Sequence, residues 1–272
     1  MENYLKETLI FNNLLGCDTS FDFITGNDFF QMKTNNIKNS EVIEKQDNKN
    51  ENQQQPKIIE MQKEKDEVKE TINNTKIITN LDEVKTFEDI VSKIKTFEGC
   101  DLKRSAINDV IYDGNINAKI MLIGEAPGES EDNEGKPFCG KSGQLLRKAL
   151  NCIHLNNENL FITNTVYWRP PENRKPYQDE IESCRPFLNK IIDIINPVVV
   201  ILCGSTAIET ILNNKYKMAE ITGKLTETEI NKKKIKVFPI YHPSYLLRVP
   251  SMKKVFWQHL LILQKEIKNY AV

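Results

Sequence analysis

The chain has 272 residues, a formal net charge of −1 and 39% hydrophobic residues. That length accommodates one large domain or two small ones, and the composition fits a soluble protein. No apolar run approaches the roughly 20 residues that a membrane-spanning helix needs, and no signal peptide is recognisable, so we expect a cytoplasmic protein with no membrane partner. Six cysteines without a C-x-x-C pair indicate free thiols in a reducing compartment and exclude a disulfide framework.

The charge divides the chain into an acidic leading part and a mildly basic body. Residues 101–272 carry 24 Lys and Arg against 19 Asp and Glu, a balance that permits nucleic-acid binding without requiring it. Apolar spacing in residues 1–32 predicts a short amphipathic helix. The polar composition of residues 33–80 predicts a disordered linker, with a solvated helix over about 42–72 as the alternative. A folded domain is expected over residues 81–272.

From residue 81 onward, strand-like apolar runs alternate with amphipathic helices. This alternation is typical of an α/β protein, in which helices cover both faces of a parallel sheet. Ligands bind such sheets at the carboxyl ends of the strands, so the loops after the strands form the expected site. The predicted strands are 118–124, 160–167, 197–203 and 235–241, and the predicted helices are 81–97, 141–152, 178–194, 204–213 and 252–268.

The stretch that leaves the first strand reads GEAPGESEDNEGKPFCGKSGQLL from Gly124. Its glycines and carboxylates suit a close approach of backbone to a ligand better than they suit a core. Within it, GKPFCGKS at 135–142 matches the phosphate-loop pattern G-x-x-x-x-G-K-[ST], so a nucleotide hydrolase is the rival function. Two features count against that rival. About ten residues separate Gly124 from Gly135, and Pro137 removes an N–H from the cradle.

Three residues near strand ends suggest a pocket for a planar base. Phe138 offers a ring for stacking, and Asn164 offers an amide that can donate and accept at once, which matches the edge of a base such as uracil. His242 offers a donor near a developing negative charge. For His154 and His259, surface exposure or packing is the simpler interpretation.

Three motifs taken together resemble those of family-4 uracil-DNA glycosylases. They are the stretch from Gly124, NTVYWRPPENRKP with the following CRPFL, and HPSYLLRVPSMKKVFW. The resemblance covers about residues 85–270 and implies a three-layer α/β/α sandwich with a central four-stranded parallel sheet. It implies a DNA-repair hydrolase that excises uracil from single- or double-stranded DNA, with residues 81–272 as its catalytic domain. A catalytically weak DNA-binding relative is a further alternative, and a monomer is the expected state.

The resemblance also assigns roles to individual residues. Glu125 is the first candidate for the carboxylate that positions the attacking water, and Asp132 is the second. His242 is expected to donate a hydrogen bond to uracil O2, as a neutral or a charged ring. Glu131 and Glu134 are expected to be solvated loop charges. The residues implied to bind uracil are Gly124, Glu125, Ala126, Phe138, Asn164 and His242.

DNA contacts are expected around the last motif and around the loop that precedes it. Leu246 or Leu247 would fill the gap left by a flipped nucleotide, and Arg248 would contact a phosphate or a base. The other expected DNA contacts are Lys141, Ser142, Arg169, Arg174 and Ser244.

The sequence departs from the family at its metal site. Family-4 enzymes hold a [4Fe–4S] cluster with four cysteines. Here only Cys100 and Cys184 remain, and the other two positions are Phe97 and Trp168. We therefore expect no cluster and no other metal, with the two aromatic rings packed together instead. The loop at 169–176 also lacks the histidine that tethers DNA in cross-linking relatives, so simple turnover is expected.

Overall fold

The computed structural model describes residues 81, 83–213, 216–268 and 270. The predicted amphipathic segment at 1–32 and the predicted linker at 33–80 lie outside the described residues. Among the described helices, none combines the length and the apolar character needed to cross a membrane.

One sheet organises the part of the chain that the structure describes. Its strands are β1 (Asp113–Gly114), β2 (Ile120–Gly124), β3 (Leu160–Asn164), β4 (Val199–Cys203), β5 (Thr226–Ile230) and β6 (Lys233–Ile240). Their order is β1–β3–β2–β4–β6–β5. The central β3, β2, β4 and β6 are parallel, which confirms the predicted four-stranded core.

The two edge strands were not predicted. They pair antiparallel with their neighbours, β1 with β3 and β5 with β6. Strand β1 has only two residues, and β5 reads TETEI with a single buried side chain at its end. Neither strand has the apolar, β-branched run by which buried strands are recognised.

Helices connect the strands and extend beyond them. They are α1 (Phe87–Thr96), α2 (Leu102–Ser105), α3 (Glu129–Glu134), α4 (Lys141–Asn151), α5 (Gln178–Ile195), α6 (Ser205–Leu212), α7 (Met218–Ile221), α8 (Pro243–Arg248) and α9 (Met252–Ile267). The predicted helices correspond to α1, α4, α5, α6 and α9. Helices α3 and α8 occupy stretches that were expected to be loops, since six residues are too few to display a helical period.

The helices form a layer on each face of the sheet. Helices α1, α5 and α6 pack on the face that carries Met121 and Val200. Helices α4 and α9 pack on the other face, which carries Leu122 and Ile201. Neighbouring residues of a strand point to opposite faces, so each buried strand supplies both cores. The arrangement is the predicted three-layer α/β/α sandwich.

The carboxyl ends of the parallel strands meet at one edge of the sheet. Gly124 at the end of β2 is in register with Asn164 at the end of β3. On the other side, Cys203 at the end of β4 is in register with Ile240 at the end of β6. This register brings the loops of all three sequence motifs to the same edge.

Candidate active site

A cavity of about 760 Å³ opens at the carboxyl edge of the sheet. Its volume lies within the range of about 300–1,000 Å³ that is usual for ligand pockets. Residues from every predicted motif line it. The implied uracil-binding residues in the lining are Glu125, Ala126, Phe138, Asn164 and His242, and the expected DNA contacts in the lining are Ser142, Arg174, Ser244 and Arg248.

Gly124 allows Asn164 and the Phe138 ring to meet beside the end of β2. A Cβ atom at Gly124 would collide with Asn164 Oδ1 and would lie 2.5 Å from Phe138 Cζ. A Cβ at Gly143, in the first turn of α4, would collide with the Phe138 backbone. Phe138 itself has a φ of 55°, and its carbonyl accepts a hydrogen bond from Arg147 Nε at 2.9 Å. Two glycines and an arginine therefore fix the ring at the cavity wall.

The Asn164 amide faces the cavity without a hydrogen-bond partner among the described residues. Its side chain is 2% exposed and lines the cavity, yet it makes no hydrogen bond to any other described residue. An amide left open at a cavity wall is therefore available to a ligand that offers both a donor and an acceptor.

Glu125 is held by both its backbone and its carboxylate. Its carbonyl oxygen accepts hydrogen bonds from Thr165 Oγ1 at 2.5 Å and from Thr165 N at 3.2 Å. Its carboxylate oxygen Oε2 accepts a hydrogen bond from Thr206 Oγ1, which belongs to the buried start of α6. Glu125 lines the cavity, with its carboxylate oriented by α6 and its backbone held by the loop after β3.

His242 lies between β6 and α8 and caps that helix. Its Nδ1 accepts a hydrogen bond from Ser244 N at 3.3 Å and lies 2.8 Å from Ser244 Oγ. Burial, with a further contribution from Arg248, lowers the pKa of the His242 imidazole to about 4. Because Nδ1 accepts, the neutral ring carries its proton on Nε2. The neutral His242 ring thus has an N–H group at Nε2, and its centroid lies 6.1 Å from that of the Phe138 ring.

Asp132, the second candidate for the water-positioning carboxylate, does not line the cavity. It is 2% exposed, and its Oδ1 accepts hydrogen bonds from Ile107 N at 2.9 Å and from Asn108 N at 3.0 Å. The carboxylate anchors the segment before β1. Sequence reasoning missed this role because the backbone donors come from a segment 24 and 25 residues away.

Glu131 is not the solvated loop charge that was expected. Its Oε2 accepts a hydrogen bond from Gly128 N at 3.1 Å, and its Oε1 accepts one from Gly140 N at 2.8 Å. The side chain ties both ends of the glycine-rich loop around α3. In doing so it places a carboxylate at the N–H group where a phosphate loop would hold a phosphate.

That arrangement removes the structural basis for the rival phosphate-loop interpretation. Helix α3 intervenes between β2 and Gly135, so the glycine segment does not leave a strand directly. Gly135 ends α3 with a φ of 70°. Consecutive N–H groups free to bind a phosphate are therefore not presented by this loop.

Of the two leucines that were expected to fill the gap in the DNA, only Leu247 is exposed. Leu246 is 0% exposed and packs in the core beneath α8, so it cannot enter a DNA helix. Leu247 is 47% exposed. At the start of α4, Lys141 is exposed, while Ser142 is half-buried at the cavity wall.

The two arginines of the proline-rich loop are engaged within the protein. Arg174 donates to both carboxylate oxygens of Glu180, at 2.8 and 2.6 Å, and stacks 3.8 Å from the centre of the Tyr177 ring. Arg169 donates to Asn173 Oδ1 at 2.8 Å. Arg248, in contrast, is exposed and makes no hydrogen bond or ion pair with any described residue. Of these three arginines, Arg248 is the one with a free guanidinium at the cavity.

Comparison with known proteins points to one family. The sequence profile of the Uracil DNA glycosylase superfamily matches residues 111–261. The Type-4 uracil-DNA glycosylase of Archaeoglobus fulgidus is 37% identical over 177 residues, which cover 64% of this chain and 89% of that protein. The Type-4 enzyme of Saccharolobus solfataricus is 41% identical over 171 residues, covering 61% of this chain and 79% of that protein. That of Sulfurisphaera tokodaii is 35% identical over 192 residues, covering 69% and 86%.

The chain belongs to the uracil DNA glycosylase superfamily. Within this superfamily the position of the site is consistent with the sequence motifs, since Phe138, Asn164 and His242 converge on one cavity. Sequence reasoning missed Thr165 and Thr206, which orient Glu125, and Tyr241 and Tyr245, which also line the cavity. Their only sequence signal was proximity to a strand end or to His242.

The family's [4Fe–4S] cluster does not fit the residues present at its four cysteine positions. The Phe97 and Trp168 rings are stacked with centroids 6.3 Å apart, and Trp168 Nε1 donates to Asp109 Oδ1 at 2.7 Å. Cys100 and Cys184 are buried free thiols, and the neighbouring Cys184 thiol lowers the pKa of Cys100 to about 7. Burial raises the pKa of Cys184. Two thiols beside two packed rings cannot supply four thiolate ligands.

Proposed function

We propose that this protein excises uracil from DNA by hydrolysing the N-glycosidic bond of deoxyuridine. The observation that carries the proposal is the Asn164 amide, which is buried at the cavity wall and unpaired among the described residues. It lies against the Phe138 ring, and both are held there by the absence of a side chain at Gly124. The family to which the chain belongs includes relatives named Type-4 uracil-DNA glycosylases.

Uracil recognition follows from the chemistry of the two groups. The Asn164 Oδ1 atom would accept from the uracil N3–H, and Nδ2 would donate to O4. Cytosine presents an acceptor and an amino group in those positions. The same amide orientation would therefore place an acceptor against an acceptor and a donor against a donor. Stacking on Phe138 supplies affinity for the flat ring, and Glu125 and Ala126 of the cavity lining border the base.

His242 stabilises the leaving group. When the C1′–N1 bond breaks, its electron pair stays with uracil, and negative charge develops on O2. The neutral His242 ring donates from Nε2 to that oxygen, while Ser244 holds Nδ1. Removing one donor from a site of developing charge typically costs about 10²–10³-fold in rate.

Glu125 acts on the sugar side of the bond. Its carboxylate stabilises the developing positive charge on the sugar and orients a water toward C1′. The water oxygen bonds to C1′, and its proton passes to the carboxylate. Thr206 keeps the carboxylate in place through Oε2. The carboxylate then returns this proton to solvent, and the uracil anion takes up a proton as it is released. The products are free uracil and an abasic site in the DNA.

The test compares uracil release by the wild type with release by Asn164→Ala and His242→Ala, on single- and double-stranded DNA. Both variants should lose about 10²–10³-fold in rate, because each removes a group that touches the base. Asn133→Ala is the matched control, since Asn133 is an exposed asparagine outside the cavity lining. Equal release by all four proteins would reject the assigned roles, and no release by the wild type would reject the function.

We also propose that the protein works without a [4Fe–4S] cluster. Its support is the stacking of Phe97 on Trp168 at two of the family's ligand positions. Protein purified without oxygen should contain no stoichiometric iron and no visible cluster absorbance. Iron at four atoms per chain, with that absorbance, would overturn this part of the proposal.

The remaining predictions concern the whole chain. We propose a cytoplasmic monomer whose catalytic domain spans residues 81–272. Turnover should leave no covalent DNA adduct, because the loop at 169–176 lacks a histidine. Light scattering tests the monomer, and denaturing gels of reacted protein test for the adduct. Uracil release by a fragment of residues 81–272 tests the domain boundary.

A further inference from the structure

The cavity extends well beyond the place for one base. It is lined from Asn164, which ends β3, to Tyr241 and Tyr245, which follow β6. These strands are three sheet positions apart, and neighbouring strands are about 4.8 Å apart, so the lined edge spans about 14 Å. A pocket of about 760 Å³ is of the size that holds drug-sized ligands. Space remains beside a uracil that is held by Phe138, Asn164 and His242.

Two tyrosines line this remaining part and form a supported aromatic surface. The Tyr241 and Tyr245 ring centroids are 5.6 Å apart. Behind Tyr241 lies His259, whose ring is stacked on it at 5.8 Å with an interplanar angle of 19°. Gly223, with a φ of 78°, allows this packing, because a Cβ there would collide with the His259 ring. Both tyrosines are partly exposed, so their outer surface is available to a ligand.

A free cation accompanies the tyrosines. Arg248 is three residues after Tyr245 on α8, a spacing that places both on the same side of a helix. It lines the cavity and makes no ion pair with any other described residue. An aromatic surface beside a free arginine is the combination by which proteins hold single-stranded nucleic acid, with the ring on a base and the cation on a phosphate.

We propose that Tyr245, supported by Tyr241, stacks on the base of a nucleotide adjacent to the flipped deoxyuridine, while Arg248 contacts the phosphate of that nucleotide. This inference rests on the proposed function, and it identifies single-stranded DNA as the favoured substrate. In a duplex the adjacent base is already paired and stacked, and unpairing it costs a few kcal/mol. In a single strand the base is free to move onto Tyr245.

The experiment removes the base and the ring separately and together. The substrates are a single-stranded oligonucleotide with one uracil and the same strand with a base-free sugar on the 5′ side, on the 3′ side or on both. For the wild type, one of the base-free substrates should lose about 5- to 150-fold in kcat/KM, the equivalent of one base stacked on an aromatic ring. Tyr245→Ala should show the same loss on the complete substrate and no further loss on the base-free one.

Three controls separate stacking from other effects. Tyr245→Phe keeps the ring and should keep wild-type rates. Tyr216→Ala removes an exposed tyrosine outside the cavity lining and should also be unchanged. On duplex DNA, Tyr245→Ala should lose less of its kcat/KM than it loses on the single strand. For Arg248→Ala, the salt dependence of single-strand binding should weaken by a slope of about 0.7, which corresponds to one phosphate contact.

The outcomes also separate this inference from the proposed function. If the wild type releases uracil at equal rates with and without neighbouring bases, the subsite does not exist while the function stands. Equal losses by Tyr245→Ala on complete and base-free substrates would likewise reject stacking. If no substrate releases uracil, the proposed function fails. Fluorescence anisotropy with the same oligonucleotides then decides the subsite by itself, with loss of binding in Tyr245→Ala supporting it and equal binding rejecting it.

Discussion

Polar and aromatic groups face a cavity in one region of the molecule and pack against one another inside the protein in a second region. In the base pocket, which comprises Phe138, Asn164 and His242, a buried amide and an imidazole N–H face a cavity. In the aromatic cluster, which comprises Phe97, Cys100, Trp168 and Cys184, the rings stack and both free thiols are buried inside the protein. Groups left open to a cavity are available for a ligand, whereas groups that satisfy one another contribute to stability.

The base pocket therefore serves the chemistry of the family, whereas the aromatic cluster serves the stability of the fold. The base pocket retains the residues implied by the resemblance, because each of them would touch the base. The aromatic cluster has replaced two metal ligands with apolar rings that fill the same region. Substitutions should therefore reduce rate in the first region and the free energy of unfolding in the second.

The largest loss of stability is expected for a substitution in the aromatic cluster. Trp168 is 1% exposed and packs between Phe97 and Tyr167, so Trp168→Ala should lower the free energy of unfolding by about 3–5 kcal/mol. Chemical denaturation followed by circular dichroism measures this loss. Uracil release per folded molecule should stay within a few-fold of the wild type. A large loss of rate with unchanged stability would show that Trp168 contributes to catalysis, which would contradict the distinction between the two regions.

Two carboxylates on the same loop provide a sharper test. Glu125→Gln should lower the rate of uracil release by about 10²–10⁴-fold, because it removes the group that orients the water and takes its proton. Its stability should change little, since an amide can still accept from Thr206.

Asp132→Ala is the matched variant for that test and should give the opposite result. It leaves the N–H groups of Ile107 and Asn108 without their acceptor, so the free energy of unfolding should fall by about 1–3 kcal/mol. Single-turnover rates and denaturation curves for both variants decide the assignment. A rate loss in Asp132→Ala as large as that in Glu125→Gln would restore Asp132 as a candidate for the water-positioning carboxylate.

The adjacent leucines Leu246 and Leu247 on α8 are expected to give a smaller difference in the rate of uracil release. Leu247 is 47% exposed, and Leu247→Ala should reduce uracil release from duplex DNA a few-fold, because the flipped nucleotide leaves an unfilled gap. Release from single strands and thermal stability should be unchanged. Leu246→Ala should instead destabilise the fold by about 2–5 kcal/mol, since Leu246 is fully buried. Equal losses on both kinds of DNA would show that Leu247 is not a wedge.

The smallest expected effect is a flat pH profile. The pKa of His242 is lowered to about 4, mainly by burial, so the ring stays neutral throughout pH 6–8. The rate of the chemical step should show no inflection near 6.5, where an unperturbed histidine titrates. An inflection there that disappears in His242→Gln would show that the catalytic donor is charged.

The same pKa shift has a consequence for stability. The folded-state pKa lies below the unfolded value, so the unfolded state binds more protons between about pH 6.5 and pH 4. The contribution of neutral His242 is therefore complete above that window, and it is lost as the pH falls through it. Denaturation curves across this range, with His242→Gln for comparison, measure the contribution.

The sequence by itself determined the strand and helix order and the chemistry of the pocket. Strands β2, β3, β4 and β6 are apolar runs, and buried strands are recognisable because their composition must suit two cores at once. Phe138, Asn164 and His242 were identifiable because each is a distinctive residue type beside a strand end, and their motifs resemble those of a known family. Stacking of Phe97 on Trp168 was predicted from the loss of two cysteines.

Only the tertiary structure distinguished the members of pairs that look alike in the sequence. Three pairs have side chains of the same chemical kind but different surroundings: Glu125 and Asp132, Leu246 and Leu247, and Arg174 and Arg248. The partners that separate them, such as Thr206 for Glu125 and the Ile107 N–H for Asp132, come from distant parts of the chain. Such long-range contacts leave no local period or motif in the sequence, because the folded backbone alone brings the partners together.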